Sequence, residues 1–314
     1  MIAKNSLLAI AIPTYNRAAI LRENLSLMLE ELGRFGVPVY ISDDSNDNET
    51  EELVLDIKES YPYIYYNKNV PSLGHDKNCI KTLSIPVEEY VWYLGDSIII
   101  TPGGIENVLL KIVKYHPDFI AVNAIDRVVG MPSKVYHDGN VLLRELGWHL
   151  TMTGVTIYSS SILRELDTFP VSKFVNFPQM ALVFQCFVNG EYSLLWNDKM
   201  LITGNVNKRS YWKKDVFKVF LKDWPSCINN LNVIYSNETK EIAKVSHSLQ
   251  TGIFNLKSIL SYRTHGFLSW KEYFNYFKLL RNHSKVNICL IAIIVLVPQF
   301  VFSVFNYLFS LWKK

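Results

Sequence analysis

The chain has 314 residues, of which 49% are hydrophobic, 13% aromatic and only 19% charged, so it is neither a disordered nor a low-complexity protein. Its 32 basic and 29 acidic residues leave a net charge of +3, too balanced for a nucleic-acid binder.

The first half alternates strand and helix patterns. Residues 7–12 are a short apolar run of the kind buried on both faces of a sheet. Residues 20–32 carry apolar side chains at helical spacing and end at Gly33 and Gly36. Residues 37–41 read as a second strand, 48–60 as a helix with an acidic first turn, and 63–66 as a third strand. A helix over 73–83, a strand over 90–94, a helix over 105–115 and a strand over 119–122 follow. This order predicts an α/β fold, a mixed, mainly parallel sheet flanked by helices.

Ligands in such sheets bind beyond the carboxyl ends of the strands. Four polar clusters stand there: Pro13-Thr14-Tyr15-Asn16-Arg17, Ser42-Asp43-Asp44-Ser45, the stretch 67–78 with Ser72, Gly74, Asp76 and Asn78, and Gly95-Asp96-Ser97. A carboxylate at this rim can accept the imide N–H of a pyrimidine or a ribose hydroxyl. Tyr15 can cover a base, and Arg17 can meet phosphate. Neither GxGxxG nor GxxxxGK[ST] occurs, so a dinucleotide fold and a P-loop are not indicated.

The C-terminal third differs. Residues 213–224 place Val216, Phe217, Phe220 and Trp224 on one helical side and Lys214, Lys218 and Lys222 on the other, a pattern that suits a core helix or a helix lying on lipid headgroups. Residues 270–280 repeat the style with Trp270, Tyr273, Phe274 and Phe277. Residues 286–312 are 27 residues without a charge, interrupted by Pro298 and Gln299 and followed by Lys313 and Lys314. Tyr307 and Trp312 suit a membrane interface, so this tail is expected to span or lie in a bilayer. Cys79, Cys186, Cys227 and Cys289 are widely spaced, which suggests neither a zinc site nor a disulfide framework. The residues before 9 hold Lys4 and too short an apolar run for a secretory leader, so the main body is expected in the cytosol.

The four clusters in their order carry a resemblance. Ile12-Pro13-Thr14-Tyr15-Asn16-Arg17, Ile41-Ser42-Asp43-Asp44-Ser45, Gly74-His75-Asp76-Lys77-Asn78 and Tyr93-Leu94-Gly95-Asp96-Ser97 resemble successive motifs of family 2 glycosyltransferases of the GT-A (Rossmann-like, nucleotide-binding) fold. Thr153-Gly154-Val155-Thr156-Ile157-Tyr158 resembles the strand that opens their acceptor half. The Leu-Gly-Asp form and Phe177-Pro178-Gln179 resemble the branch that includes abequosyltransferases of bacterial surface polysaccharides.

The resemblance implies sugar transfer from a nucleoside-diphosphate sugar, a UDP-sugar first, to a lipid-linked saccharide, with inversion. It implies a nucleotide-sugar-binding half over residues 1–125, an acceptor half over 126–212 and a helical membrane-associating module over 213–314, at the cytoplasmic face of the cell membrane. Pro13, Thr14, Tyr15, Arg17, Asp43, Asp76, Asn78, Asp96 and Arg209 would hold the donor, Asp43 reading the base. Asp96 stands where the family has its DXD motif and would be catalytic, the one protein anchor of a Mn or Mg ion. Alternatively, cations such as Lys208 and Arg209 neutralise the leaving group.

Two departures stand out. The DXD stretch keeps one carboxylate, and the stretch 174–180 has no acid where the family usually places its catalytic base. His149 is the nearest substitute, with Asp167 and Glu191 open alternatives. A catalytically silent nucleotide-sugar-binding protein is the competing reading.

Overall fold

Strand β1 (Leu8–Thr14) is the spine of the sheet, apolar almost throughout because β2 (Val39–Asp43) and β4 (Tyr90–Tyr93) flank it on both sides. β3 (Ile64–Lys68) adds to β2, and all three ladders are parallel. Helices α1 (Ala18–Phe35), α2 (Glu49–Ser60) and α3 (His75–Leu83) make the crossovers. Register puts Thr14 beside Asp43 and Asp43 beside Lys68, one transverse row across the strand ends.

The structure is a computed structural model that describes residues 3–125, 127–164, 166–189, 192–205 and 211–302. It divides into one unit of residues 1–209 with 231–234 and a second of 210–230 with 235–314.

Beyond β4 the first unit continues with β5 (Ile98–Ile100), α4 (Gly104–Tyr115), β6 (Phe119–Ala124), β7 (Lys134–Tyr136), α5 (Gly139–Leu150), β8 (Thr156–Ser159), α6 (Ser160–Leu163), α7 (Pro178–Cys186) and β9 (Leu194–Gly204). The sheet order is β3-β2-β1-β4-β8-β6-β9-β5, with β7 also on β9. β8 is antiparallel to both β4 and β6, so the parallel first half is closed by a strand of opposite sense. Trp92 Nε1 donates to the Gly154 carbonyl at 2.7 Å, fixing β8 to β4. Gly154 has φ +100, and a Cβ there would meet Ile202 and Ile98 at 3.2 Å, so both conformation and space require glycine. α4 starts where Glu31 of α1 accepts from the N–H groups of Gly103, Ile105 and Glu106, a carboxylate on a helix N-terminus. α7 carries Pro178 in its first turn, and Tyr158 pins it by donating to the Gln179 carbonyl at 2.8 Å.

The second unit is helical. A 3-10 turn (Tyr211–Asp215), α8 (Val216–Lys218), a π turn (Val219–Asp223) and α9 (Trp224–Asn229) are followed by α10 (Asn237–Thr251), α11 (Leu256–Thr264), α12 (Trp270–His283) and α13 (Ile288–Leu296). The expected amphipathic stretch buries its apolar side in this core. Phe217 stacks on Phe254 and Tyr276, and Phe220 stacks on His247.

The expectation of a C-terminal segment anchoring the protein at the cytoplasmic face of a membrane is corrected here. Among the described residues no helix is long and apolar enough to cross a membrane. α13 has nine residues, roughly 14 Å at the helical rise, against a hydrocarbon core of about 30 Å. It ends where Val297 turns extended, and Arg263 donates to the Val297 carbonyl at 2.7 Å. Tyr307, Trp312, Lys313 and Lys314 lie outside the described residues.

Candidate active site

At the end of β2 the chain concentrates hydrogen-bond acceptors. Asp44 accepts from Ser72 Oγ at 2.7 Å, Leu73 N–H at 2.7 Å, Gly74 N–H at 2.8 Å and Asn69 Nδ2 at 3.1 Å. Burial alone would raise its pKa, but the donors on Leu73, Ser72, Gly74 and Asn69 outweigh that and bring it below the usual carboxylate value. Asp44 therefore shapes the loop that leads into α3.

Asp43 beside it is fully buried. It accepts from Ser45 N–H at 2.9 Å and from Tyr66 Oη at 2.8 Å, and Lys68 Nζ lies 3.4 Å away. Burial and then Asp43 push the Tyr66 hydroxyl well above its ordinary pKa, so it stays a donor. The Lys68 contact is the longest of the three. Tyr66 and Lys68 escaped the sequence reading. Their signal is the period of two along β3, which turns both toward Asp43.

Tyr15 is exposed on the rim, and Asn46 Nδ2 donates to its hydroxyl at 3.4 Å. Asn16 has φ 52, and its N–H donates to Ser45 Oγ at 2.7 Å, tying the first cluster to the second. Pro13 pairs in register with Ser42.

Asn78 differs from its expected donor-binding role. It is buried, its Oδ1 accepts from Ser42 Oγ at 2.7 Å and Asn69 Nδ2 at 2.9 Å, and its Nδ2 donates to the Ser42 carbonyl at 3.3 Å. Its polar atoms are committed to holding β2, α3 and the loop after β3 together. Asp76 likewise turns away from the Asp43 cluster, towards the Asn176 backbone.

The end of β4 sets a carboxylate against a guanidinium. Asp96 faces the Arg17 guanidinium at 3.2 Å, and Thr14 Oγ1 donates to its other oxygen at 3.4 Å. Asn24 Nδ2 donates to the Asp96 carbonyl at 2.7 Å, and Asn205 Nδ2 to Asn24 Oδ1 at 2.8 Å. The structure thus brings Thr14, Arg17 and Asp96 together. Asn24 and Asn205 carry no motif of their own, so their support is invisible in the sequence.

No group of three His, Cys, Asp or Glu that could hold a metal occurs among the described residues. A divalent ion takes six or more oxygens, which one carboxylate cannot supply. The donor set fits a metal only as an ion carried by a diphosphate, with Asp96 as one protein oxygen.

His149 is corrected as the acceptor's base. It is fully buried in α5 between Trp148 and Trp196, with ring centroids 5.6 and 5.4 Å away. Its Nε2 donates to the Val122 carbonyl at 2.9 Å. Burial, then the Arg127 charge, push its pKa down to about 3. No substrate reaches an imidazole sealed in this way. Asp167 sits exposed in a 3-10 turn, Leu166–Thr168. Lys208, Arg209 and Glu191 lie outside the described residues.

Comparison with known proteins bears on the fold and the reaction class. The family model "Glycosyl transferase family 2" matches residues 9–163. The chain is 25% identical over 252 residues to abequosyltransferase RfbV of Salmonella typhimurium, covering 73% of this chain and 76% of that protein. Among solved structures, S. aureus TarS 1-349 in complex with UDP superposes with TM-score 0.57 at 15% identity, covering 88% of this chain and 80% of that one. The mannosyltransferase PcManGT of Pyrobaculum calidifontis, in complex with GDP-Man and Mn2+, gives TM-score 0.55 at 15% identity, covering 94% and 88%. The fold is thus the GT-A fold, and this chain is a glycosyltransferase whose residues 9–163 form a glycosyl transferase family 2 domain.

Proposed function

We propose that this glycosyltransferase moves a sugar from a nucleoside-diphosphate sugar, a UDP-sugar first, to a hydroxyl of a saccharide acceptor in surface polysaccharide synthesis. The observation that carries the reading is the convergence of Thr14, Arg17 and Asp96 at one corner of the sheet, beside the buried Asp43 row. Asp43 reads the base once Lys68 yields, Tyr15 covers it, and Arg17 turns from Asp96 to the diphosphate. Residues 1–125 supply this donor half, and residues 126–212 shape the acceptor pocket.

The acceptor oxygen attacks the anomeric carbon from the face opposite the diphosphate, and the carbon–oxygen bond to phosphate breaks with inversion. The electron pair leaves with the nucleoside diphosphate, and that growing charge is the chief electrostatic demand. Arg17 is the described cation placed to meet it. A divalent ion held between the diphosphate and Asp96 would neutralise the same charge. A lipid-linked acceptor is supported by the apolar side chains the second unit leaves exposed, Phe274, Ile293, Leu296 and Phe300.

The test is a thermal-shift screen of UDP-, GDP- and CDP-sugars with and without manganese, followed by transfer assays on the best donor. A raised Tm with one nucleotide, and transfer of its sugar, are expected. A protein that no nucleotide sugar stabilises would overturn the assignment.

A further inference from the structure

The stretch 174–180 brings no acid of its own to the start of α7, yet a carboxylate lies against it. Asp76, in the first turn of α3, accepts from the Asn176 N–H with both oxygens, each at 3.1 Å. Asn176 adopts φ 68, a left-handed conformation asparagine tolerates, and stands directly before Phe177, the N-cap of α7. His75 Nδ1 lies 2.7 Å from Asp76 Oδ1. An ionised carboxylate only accepts, so Nδ1 carries the proton and Nε2 is the basic nitrogen. The His75 side chain is 38% exposed and so open to solvent, unlike His149.

A chain of hydrogen bonds ties this pair to the donor corner. Gly74, next to His75, donates its N–H to Asp44 at 2.8 Å, the Asp44 N–H donates to the Thr14 carbonyl at 3.0 Å, and Thr14 Oγ1 donates to Asp96. The dyad therefore stands where the donor corner meets the loop that opens α7.

We propose that His75 is the general base of the transfer and that Asp76 is its positioning residue, an inference that rests on the glycosyl transfer proposed above. His75 Nε2 takes the proton of the acceptor hydroxyl while that oxygen bonds to the anomeric carbon. The bond from that carbon to the diphosphate breaks, and its electron pair departs with the nucleoside diphosphate. Asp76 then balances the imidazolium, the role a carboxylate plays behind a catalytic histidine. The elements that pack against α3 bring further titratable groups: Lys77, Cys79 and Lys81 stand on α3 itself, Tyr40 and Asp43 on β2, Tyr90 and Tyr93 on β4, Lys173 on the 3-10 turn (Val171–Lys173) and Cys186 on α7. Burial pushes the Cys79 thiol up to about 12, so it stays neutral.

The test compares wild type with His75→Gln, His75→Ala, Asp76→Asn and Asp76→Glu in the full chain, reading kcat, KM, donor affinity, Tm and the pH profile. A general base contributes roughly 10²–10⁴-fold, so His75→Gln should lose that much in kcat, keep its donor affinity and Tm, and lose the acid limb of its pH profile. Added imidazole should restore part of the rate to His75→Ala. Asp76→Asn should lower kcat and leave KM and donor affinity unchanged, and Asp76→Glu should restore part of the rate, because the carboxylate that orients Nδ1–H returns. A His75→Gln enzyme with wild-type kcat and an intact acid limb would overturn the base while leaving glycosyl transfer standing. A wild-type protein that transfers no sugar would overturn both.

Discussion

The ends of β2 and β4 belong to one sheet and face one rim, but they are built in opposite ways. At β2, two carboxylates meet donors from seven residues, the backbone N–H groups of Ser45, Leu73 and Gly74 among them. At β4, Asp96 meets the Arg17 guanidinium and the Thr14 hydroxyl, so a full charge faces a full charge. Fixed donors leave a carboxylate little to rearrange, so at β2 the Lys68 contact is the part a ligand would have to displace. A guanidinium–carboxylate pair can redistribute its charges among bound groups, which is how a site gains from electrostatics. The two strand ends thus pose one question: whether holding and reacting are separated along one edge of the sheet.

Substitutions can break that contrast. The largest effect is expected for Asp96→Ala, which should cut transfer about a thousandfold, ~4 kcal/mol, while the free nucleoside still binds. Full activity in that variant, measured by steady-state kinetics, would remove the β4 corner from the reaction. Asp44→Ala should act on the fold instead, costing about 2 kcal/mol in urea unfolding, because the buried Asn69 and the loop donors of Ser72, Leu73 and Gly74 lose their shared acceptor. Asp43→Ala should weaken nucleotide binding by ~1.5–3 kcal/mol in calorimetry, the worth of a hydrogen bond to a charged group. An unchanged affinity would leave Asp43 as one more structural acceptor.

A pH-dependent effect, small near neutrality, sharpens the contrast from outside it. The pKa of His149 is about 3 when folded, below the ordinary imidazole value near 6.5 that it regains on unfolding. The unfolded chain therefore binds the extra proton between these values, so this stability is present above pH 6.5 and is lost as pH falls towards 3. The slope is at most ~1.4 kcal/mol per pH unit. His149→Gln, which keeps a donor for the Val122 carbonyl, should flatten that slope in acid unfolding and leave the acid limb of transfer unchanged. Asp44 adds to acid loss at lower pH. Its depressed pKa stabilises the fold above the ordinary carboxylate value, and that part disappears as pH falls through the folded value.

The alternation of apolar runs and helical spacing was enough to place β1 to β4, because parallel strands buried on both faces are nearly all apolar. The insertion of β8 between β4 and β6 was not legible, since strand order is set by contacts distant in sequence. Among the site residues, Thr14, Tyr15, Arg17, Asp43 and Asp96 stand at the rim as strand-end logic requires. Asn78 misled because a polar residue in a motif looks the same whether it meets a ligand or braces a loop. His149 misled because a histidine in an apolar stretch gives no sign of its exposure. The charge-free tail misled because composition counts residues and does not show that the helix ends before Pro298.

The strand β8 also sets a timetable for synthesis. Trp92 on β4 waits for Gly154, 62 residues later, to accept its indole N–H. At ribosomal speeds of about 5–20 residues per second, that interval lasts roughly 3–12 s. During it, β4 has β1 on one side and an open edge on the other, an edge able to pair with any passing strand. The nascent first half therefore emerges with Asp96 next to an unpaired border, and a chaperone that covers this edge would find its need in the few seconds before β8 appears.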